Sequence, residues 1–179
     1  MIFVTVGTHE QPFNRLLQAV DDLKVDGTIL SDEIVFMQTG FCTYEPRHCE
    51  WTRLLSYEEM QQHIAQARIV ITHGGPSSFL APLRLGKIPI VMPRCAKYGE
   101  HVNDHQINFV TAIAKQFGNI IPVCNAADLK AAVHDYDRIV SDMPHDAFTH
   151  NAEFCKGFEH VVDELFVDDT QIEYGRERV

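Results

Sequence analysis

The stretch Ile71-Thr72-His73-Gly74-Gly75-Pro76-Ser77-Ser78 decides the reading of this chain. It leaves an apolar run, Arg68-Ile69-Val70-Ile71, passes two glycines and meets Pro76, a residue suited to the first position of a helix. A strand that ends in a Gly-rich turn and feeds a helix N-terminus makes an anion site, because the free N–H groups and the helix dipole both favour negative charge. The glycines allow close approach to the backbone. His73, Ser77 and Ser78 add side-chain donors. The stretch therefore predicts a phosphorylated ligand.

Outward from this turn, short β-branched runs alternate with helical segments. The pattern predicts strands over 2–6, 34–39, 69–72, 88–92 and 119–123, with a weaker one over 49–54. It predicts helices over 12–23, 57–67, 76–85, 103–117 and 126–134, and a last one from Asp146 to Phe166. Near-continuous apolar strands alternating with helices imply a parallel sheet covered on both faces. The expected fold is thus α/β: one Rossmann-like domain over 1–166 with about six parallel strands, followed by a polar tail over 167–179. On the last helix Phe148, Cys155, Phe158, Val162 and Leu165 follow helical spacing, which suits either packing on the domain or docking on another chain.

Composition narrows the class. The 179 residues suffice for one domain with a sizeable core. A formal net charge of −10 with no basic stripe argues against nucleic acid as a partner. Cys42, Cys49, Cys95, Cys124 and Cys155 are scattered and form no C-x-x-C, which predicts free thiols and a cytoplasmic setting. The opening Met1-Ile2-Phe3-Val4-Thr5-Val6 reads as a short strand rather than a leader peptide, and no apolar run approaches the ~20 residues of a membrane span.

In a doubly wound sheet, ligands sit outside the carboxyl ends of the strands, and the polar loops of this chain fall there. Gly7-Thr8-His9 leaves the first strand and faces the same edge as the His73 turn. The long loop from Pro93 to Gln106 is dense in hydrogen-bonding groups: Arg94, Lys97, Glu100, Asn103, Asp104, His105 and Gln106. Arg94 and Lys97 suit phosphate charge, and the others suit sugar hydroxyls. Asn103 or Asp104 also suits the cap of the following helix. His101 and His105 lie four apart without a placed third ligand, so no metal is expected. Neither a G-x-G-x-x-G fingerprint, nor a Walker A loop, nor a G-x-S-x-G elbow occurs.

Three stretches together resemble a known family: Met1–Thr8, the Thr72–Phe79 turn, and Gly86–Arg94 with Gly99–Gln106. The chain resembles the C-terminal, donor-binding half of GT-B glycosyltransferases, the glycosyltransferase family 28 C-terminal domain. It is similar to the soluble subunits of two-part enzymes, both the dolichol-linked UDP-N-acetylglucosamine transferase and bacterial exopolysaccharide and capsule transferases. The resemblance implies a UDP-sugar donor, with the diphosphate held by Gly7, Thr8, His73, Gly74, Gly75, Ser77 and Ser78. It implies donor-sugar contacts at His105 and Gln106, joined by Arg94, Glu100, Asn103 and Asp104, and uracil near the loop before the Tyr57 helix.

The resemblance further implies inverting, cofactor-free transfer of a hexose or N-acetylhexosamine to a lipid-linked acceptor. A membrane-associated partner would bring that acceptor and dock against the Asp146–Phe166 helix, leaving this chain peripheral to the inner face of the membrane. The general base would come from the partner or from His9, for which a phosphate or sugar contact is the other reading. One residue departs from the pattern. Many relatives carry an acid eight positions after the turn histidine to hold the ribose, and here that position is Ala81. Ala81 keeps a second reading open, a non-catalytic accessory that stabilises or activates a membrane-associated transferase.

Overall fold

The computed structural model describes residues 1–143 and Gly157. The expected Asp146–Phe166 helix and the tail fall, apart from Gly157, outside the described residues. Six strands form one sheet: β1 (Ile2–Thr5), β2 (Val35–Gln38), β3 (Glu50–Thr52), β4 (Ile69–His73), β5 (Ile90–Met92) and β6 (Ile121–Pro122). Within residues 1–143 six helices accompany them: α1 (Asn14–Val25), α2 (Tyr57–Gln66), α3 (Pro76–Arg84), α4 (His105–Phe117), α5 (Ala126–His134) and α6 (Tyr136–Ser141). Every pairing is parallel, and the strand order is β3-β2-β1-β4-β5-β6. The chain winds outward in both directions from β1 and β4, so the topological switch point lies between them.

Strand alternation divides the core into two layers. Ile2, Val4, Val35, Met37, Ile69, Ile71, Ile90 and Met92 face α1, α5 and α6, where Leu16, Leu17, Val20, Leu129 and Val133 cover them. On the opposite face Phe3 and Val70 meet Ile64 of α2, while Val91 meets Phe79 and Leu83 of α3 and Val110 and Ile113 of α4. Full burial of each such side chain is worth roughly 1.5–3 kcal/mol. Packing of these apolar faces, more than propensity, holds the short helices in place.

Local signals set the ends. Ser56 caps α2 by accepting from Glu59 N–H, and the Glu59 carboxylate returns the bond to Ser56 N–H at 2.8 Å. Asn125 caps α5 in the same position. Between β2 and β3 a loop replaces the usual crossover helix. It is fastened to α1 by the buried Asp21 carboxylate, which accepts from Tyr44 Oη–H at 2.8 Å and from the N–H groups of Arg47 and His48 at 2.9 Å each.

Several predicted boundaries move, the strands over 88–92 and 49–54 contracting to β5 and β3. Helix α1 starts at Asn14, because Pro12 and Phe13 stay outside the helix and the Phe13 N–H donates to Cys42 Sγ. Helix α4 starts at His105 rather than 103, because Asn103 folds back to accept from His105 N–H. The strand expected over 119–123 contracts to β6. Two elements escaped the periodicity: α6, and a single 3-10 turn, Ala96–Tyr98, inside the long loop. No helix among the described residues is long and apolar enough to cross a membrane.

Candidate functional site

The β1 and β4 ends open into a cleft of about 500 Å³ at the switch point. Its walls include Gly7, Thr8 and His9 after β1, His73 at the end of β4, and Ser77, Ser78 and Ala81 of α3. Tyr57, Met60, Gln61 and Ile64 of α2 close the far side. The chain thus brings together six predicted residues, Gly7, Thr8, His9, His73, Ser77 and Ser78. Gly74 and Gly75 form the turn between them.

His73 is the keystone of this edge. Its Nδ1 accepts from Gly75 N–H at 3.0 Å, which places the ring proton on Nε2, and that N–H donates to Ser78 Oγ at 2.7 Å. The ring is wedged between two glycines: a Cβ on Gly7 would lie 2.5 Å from Nε2, and one on Gly75 would lie 2.3 Å from Cε1. Gly7 also adopts φ +73°, a left-handed conformation that glycine takes at little cost. Burial first, and then the Arg94 charge, push the His73 pKa down to about 3, so the imidazole is neutral at pH 7.

The donors differ from the simple Gly-loop expectation. The Gly7 N–H is taken by Thr5 Oγ1 and Gln38 Oε1, both at 3.2 Å, and the Gly74 N–H by Gln106 Oε1 at 3.1 Å. The glycines therefore supply room and shape, while the groups left to face a ligand lie next to them. Among the described residues the Ser77 N–H, the Ser77 hydroxyl and the Thr8 hydroxyl have no hydrogen-bond partner. Ser78 Oγ accepts from His73, which leaves its own proton to donate. These donors surround the N-terminus of α3, where the dipole favours an anion.

The sugar-side predictions meet a different fate, because the long loop is tied to itself. Arg94 is only 1% exposed. Its Nη1 donates to the carbonyls of Gln11 at 2.6 Å and Glu100 at 3.0 Å, and its Nη2 to that of Val6 at 2.9 Å. Phe13 lies under its guanidinium at 5.0 Å. Glu100 receives a two-pronged bond from Arg15 at 2.8 Å and also accepts from Cys95 N–H at 2.9 Å. Asp104 accepts from Ala96 N–H at 2.8 Å, and Gln106 Oε1 bridges the amides of Gly74 and Arg94. Arg94, Glu100, Asp104 and Gln106 thus brace the loops around the cleft. Asn103 accepts from His105 N–H at 3.2 Å, and none of these six residues forms the cleft wall.

Gln38 reads from the sequence only as part of a polar loop at a strand end, and the fold gives it a bracing role. Its buried amide accepts from Thr5 Oγ1 at 2.7 Å and Gly7 N–H, and donates to the carbonyls of Gly7 and Arg53 at 3.1 and 2.9 Å. Reasoning from sequence left unnamed the α2 residues Met60 and Gln61, although the Ser56-x-x-Glu59 capping box announces that helix. Among the described residues no group of three or more His, Cys, Asp or Glu side chains is placed to hold a metal.

A parallel doubly wound sheet with a cleft at its switch point, bordered by a Gly-rich turn and a helix N-terminus, defines a Rossmann-like ligand-binding domain. The chain belongs to the glycosyltransferase family 28 C-terminal domain family, whose model matches residues 1–121. Among solved structures it is similar to the glycotransferase of kitacinnamycin, with a TM-score of 0.54 and 15% identity. That match covers 89% of this chain and 42% of the other, and it agrees with the GT-B fold expected from the motifs. Also similar are the glycosyltransferase SnogD from Streptomyces nogalater (TM-score 0.47, 17% identity, 86% and 42% covered) and a flavodoxin-like domain from Synechococcus (TM-score 0.45, 13% identity, 79% and 99% covered). No curated protein sequence matches the chain. It spans 42% of the length of each of the two glycosyltransferase structures.

Proposed function

We propose that this domain is the nucleotide-sugar half of an inverting glycosyltransferase whose acceptor half is a separate, membrane-associated chain. The donor is a UDP-sugar carrying a hexose or N-acetylhexosamine, and the acceptor is lipid-linked, as in polysaccharide assembly at the inner face of the membrane. The observation that carries the reading is the cleft itself: neutral His73 locked between Gly7 and Gly75, with Thr8, Ser77 and Ser78 donors at the α3 N-terminus.

In the proposed reaction an acceptor hydroxyl attacks the anomeric carbon. The carbon–oxygen bond to the β-phosphate breaks, and UDP leaves with the electron pair. The hydroxyl proton passes to a general base. Ser77 N–H, the hydroxyls of Thr8, Ser77 and Ser78, and the α3 dipole stabilise the charge that develops on the diphosphate, without a metal. Each such prearranged donor is worth roughly 10²–10³ in rate. His9 is a poor base in this geometry. Its Nδ1 accepts from Gln11 N–H at 3.1 Å, so its proton sits on Nε2 and it presents a donor. The base is accordingly assigned to the acceptor half.

Ala81 favours a second reading. It lines the cleft where relatives carry the ribose-binding acid, as expected of an accessory chain that no longer needs tight donor binding. UDP release from UDP-sugars, measured with the chain alone and with its acceptor half, tests both. The two-chain reading predicts turnover only in the mixture. Turnover by this chain alone contradicts it, and a mixture as active with a His73→Ala chain favours the accessory.

A further inference from the structure

We propose that His9 and His101 together form a receptor for the terminal phosphate of the nucleoside diphosphate, an inference that rests on the nucleotide reading above. His9 stands in the cleft wall beside Gly7, Thr8 and His73. His101 follows the 3-10 turn of the long loop, and its ring faces that of His9 with centroids 5.0 Å apart and planes tilted by 38°. The two rings share one hydrogen-bonding pattern. His9 Nδ1 accepts from Gln11 N–H at 3.1 Å, and His101 Nδ1 accepts from Asn103 N–H at 3.4 Å. A neutral imidazole that accepts at Nδ1 carries its proton on Nε2. Each ring therefore keeps one Nε2–H donor, and neither donor has a partner among the described residues.

Other uses of the pair fit less well. His73 shows the same pattern but spends its Nε2–H on Ser78. A metal needs the lone pair that this tautomer gives up at Nε2, and no third ligand stands nearby among the described residues. A general base needs the same lone pair. What two adjacent ring N–H groups recognise is an oxyanion. The buried Arg94 guanidinium, bonded to the carbonyls of Val6 and Gln11 on either side of the His9 loop, adds positive potential.

Position selects the terminal phosphate. Helix α2 packs over β1 and β4 and, with Tyr57 and Met60, closes one end of the cleft, where the proposal sets the nucleoside. The long loop bearing His101 follows β5, on the other side of β4. The β4 turn and the α3 N-terminus lie between them. A ligand whose base lies toward α2 and whose first phosphate meets Ser77 and Ser78 reaches the imidazole pair with its second phosphate.

Affinities of UDP and UMP for the wild-type chain and its His101→Ala and His101→Gln variants test this, with thermal melts to check folding. His101→Ala is expected to weaken UDP about tenfold, as for loss of one hydrogen bond to a charged group, and to leave UMP unchanged. His101→Gln, which retains an N–H near the Nε2 position, is expected to recover most of the UDP affinity. Equal effects on UDP and UMP, or none on UDP in a folded His101→Ala chain, overturn the imidazole receptor while leaving the nucleotide reading intact. Failure of the wild type to bind either nucleotide at millimolar concentration overturns both.

Discussion

Gly7→Ala probes the wedge around His73 and comes with a built-in control. Two costs add at Gly7. The first is conformational: φ +73° is a left-handed conformation that costs an L residue about 1 kcal/mol. The second is steric, since the new Cβ falls 2.5 Å from His73 Nε2. The ring has no free direction in which to yield, because Gly75 lies against its other edge, and Gln38 grips both the N–H and the carbonyl of Gly7. Moving the ring breaks its bond to Ser78, a loss of about 1 kcal/mol. The sum is about 2–3 kcal/mol, which moves a urea midpoint by about 1 M at a slope of roughly 2 kcal/mol/M. Gly27→Ala pays only the first cost: its φ is +79°, but nothing lies within 4 Å of the added Cβ. The expected outcome is a Gly7 variant at least 1 kcal/mol less stable than the Gly27 variant and at least tenfold weaker for UDP, with wild-type UDP affinity in the Gly27 variant. Equal midpoints and equal UDP affinities for the two variants refute the wedge.

Three further outcomes follow from the same geometry. Arg94→Met strips donors from the carbonyls of Val6, Gln11 and Glu100, and at about 1 kcal/mol each it is expected to lower the melting temperature by about 10 °C; a drop under 2 °C contradicts a bracing role. Ala81→Glu introduces an acid where the family resemblance implies a ribose contact and is expected to tighten uridine nucleotides about tenfold but not their 2′-deoxy forms, whereas unchanged or indiscriminate binding places the ribose elsewhere. His73 titrates at about 3 in the fold against 6.5 ordinarily, so below pH 6.5 the unfolded chain holds the extra proton. Stability should therefore fall with pH, by about 2 kcal/mol from this group between pH 7.5 and 5; urea melts that lose as much over that range in His73→Gln as in wild type contradict the assignment.

The scaffold was legible because its signals are local. The apolar run before His73, the glycine pair and Pro76 lie within eight residues, and each strand–helix alternation can be read in a window of that size. Helix α6 escaped because six residues, Tyr136–Ser141, show too little of a period, and Asp135 joins it directly to α5. The part of the site that spacing could not resolve has one cause: it rests on partners far apart in sequence. Arg94 reads as a phosphate or sugar ligand until its bond to Val6, 88 positions away, consumes it. Glu100 reads as a hydroxyl acceptor until Arg15, 85 positions away, claims it. Gly7 reads as an N–H donor until Gln38, 31 positions away, fills that bond. Which polar groups remain free for a ligand is a property of the folded contacts, and no spacing rule reports it.

The most direct test of the account is amide chemical-shift mapping of the ¹⁵N-labelled chain titrated with UDP. The account predicts saturable shifts concentrated at Thr8, His9, Gly74, Gly75, Ser77, Ser78 and His101, with weaker ones at Tyr57, Gln61 and Ala81 along the α2–α3 wall. Absence of shifts at millimolar UDP, or shifts confined to residues away from the β1–β4 cleft, contradicts it.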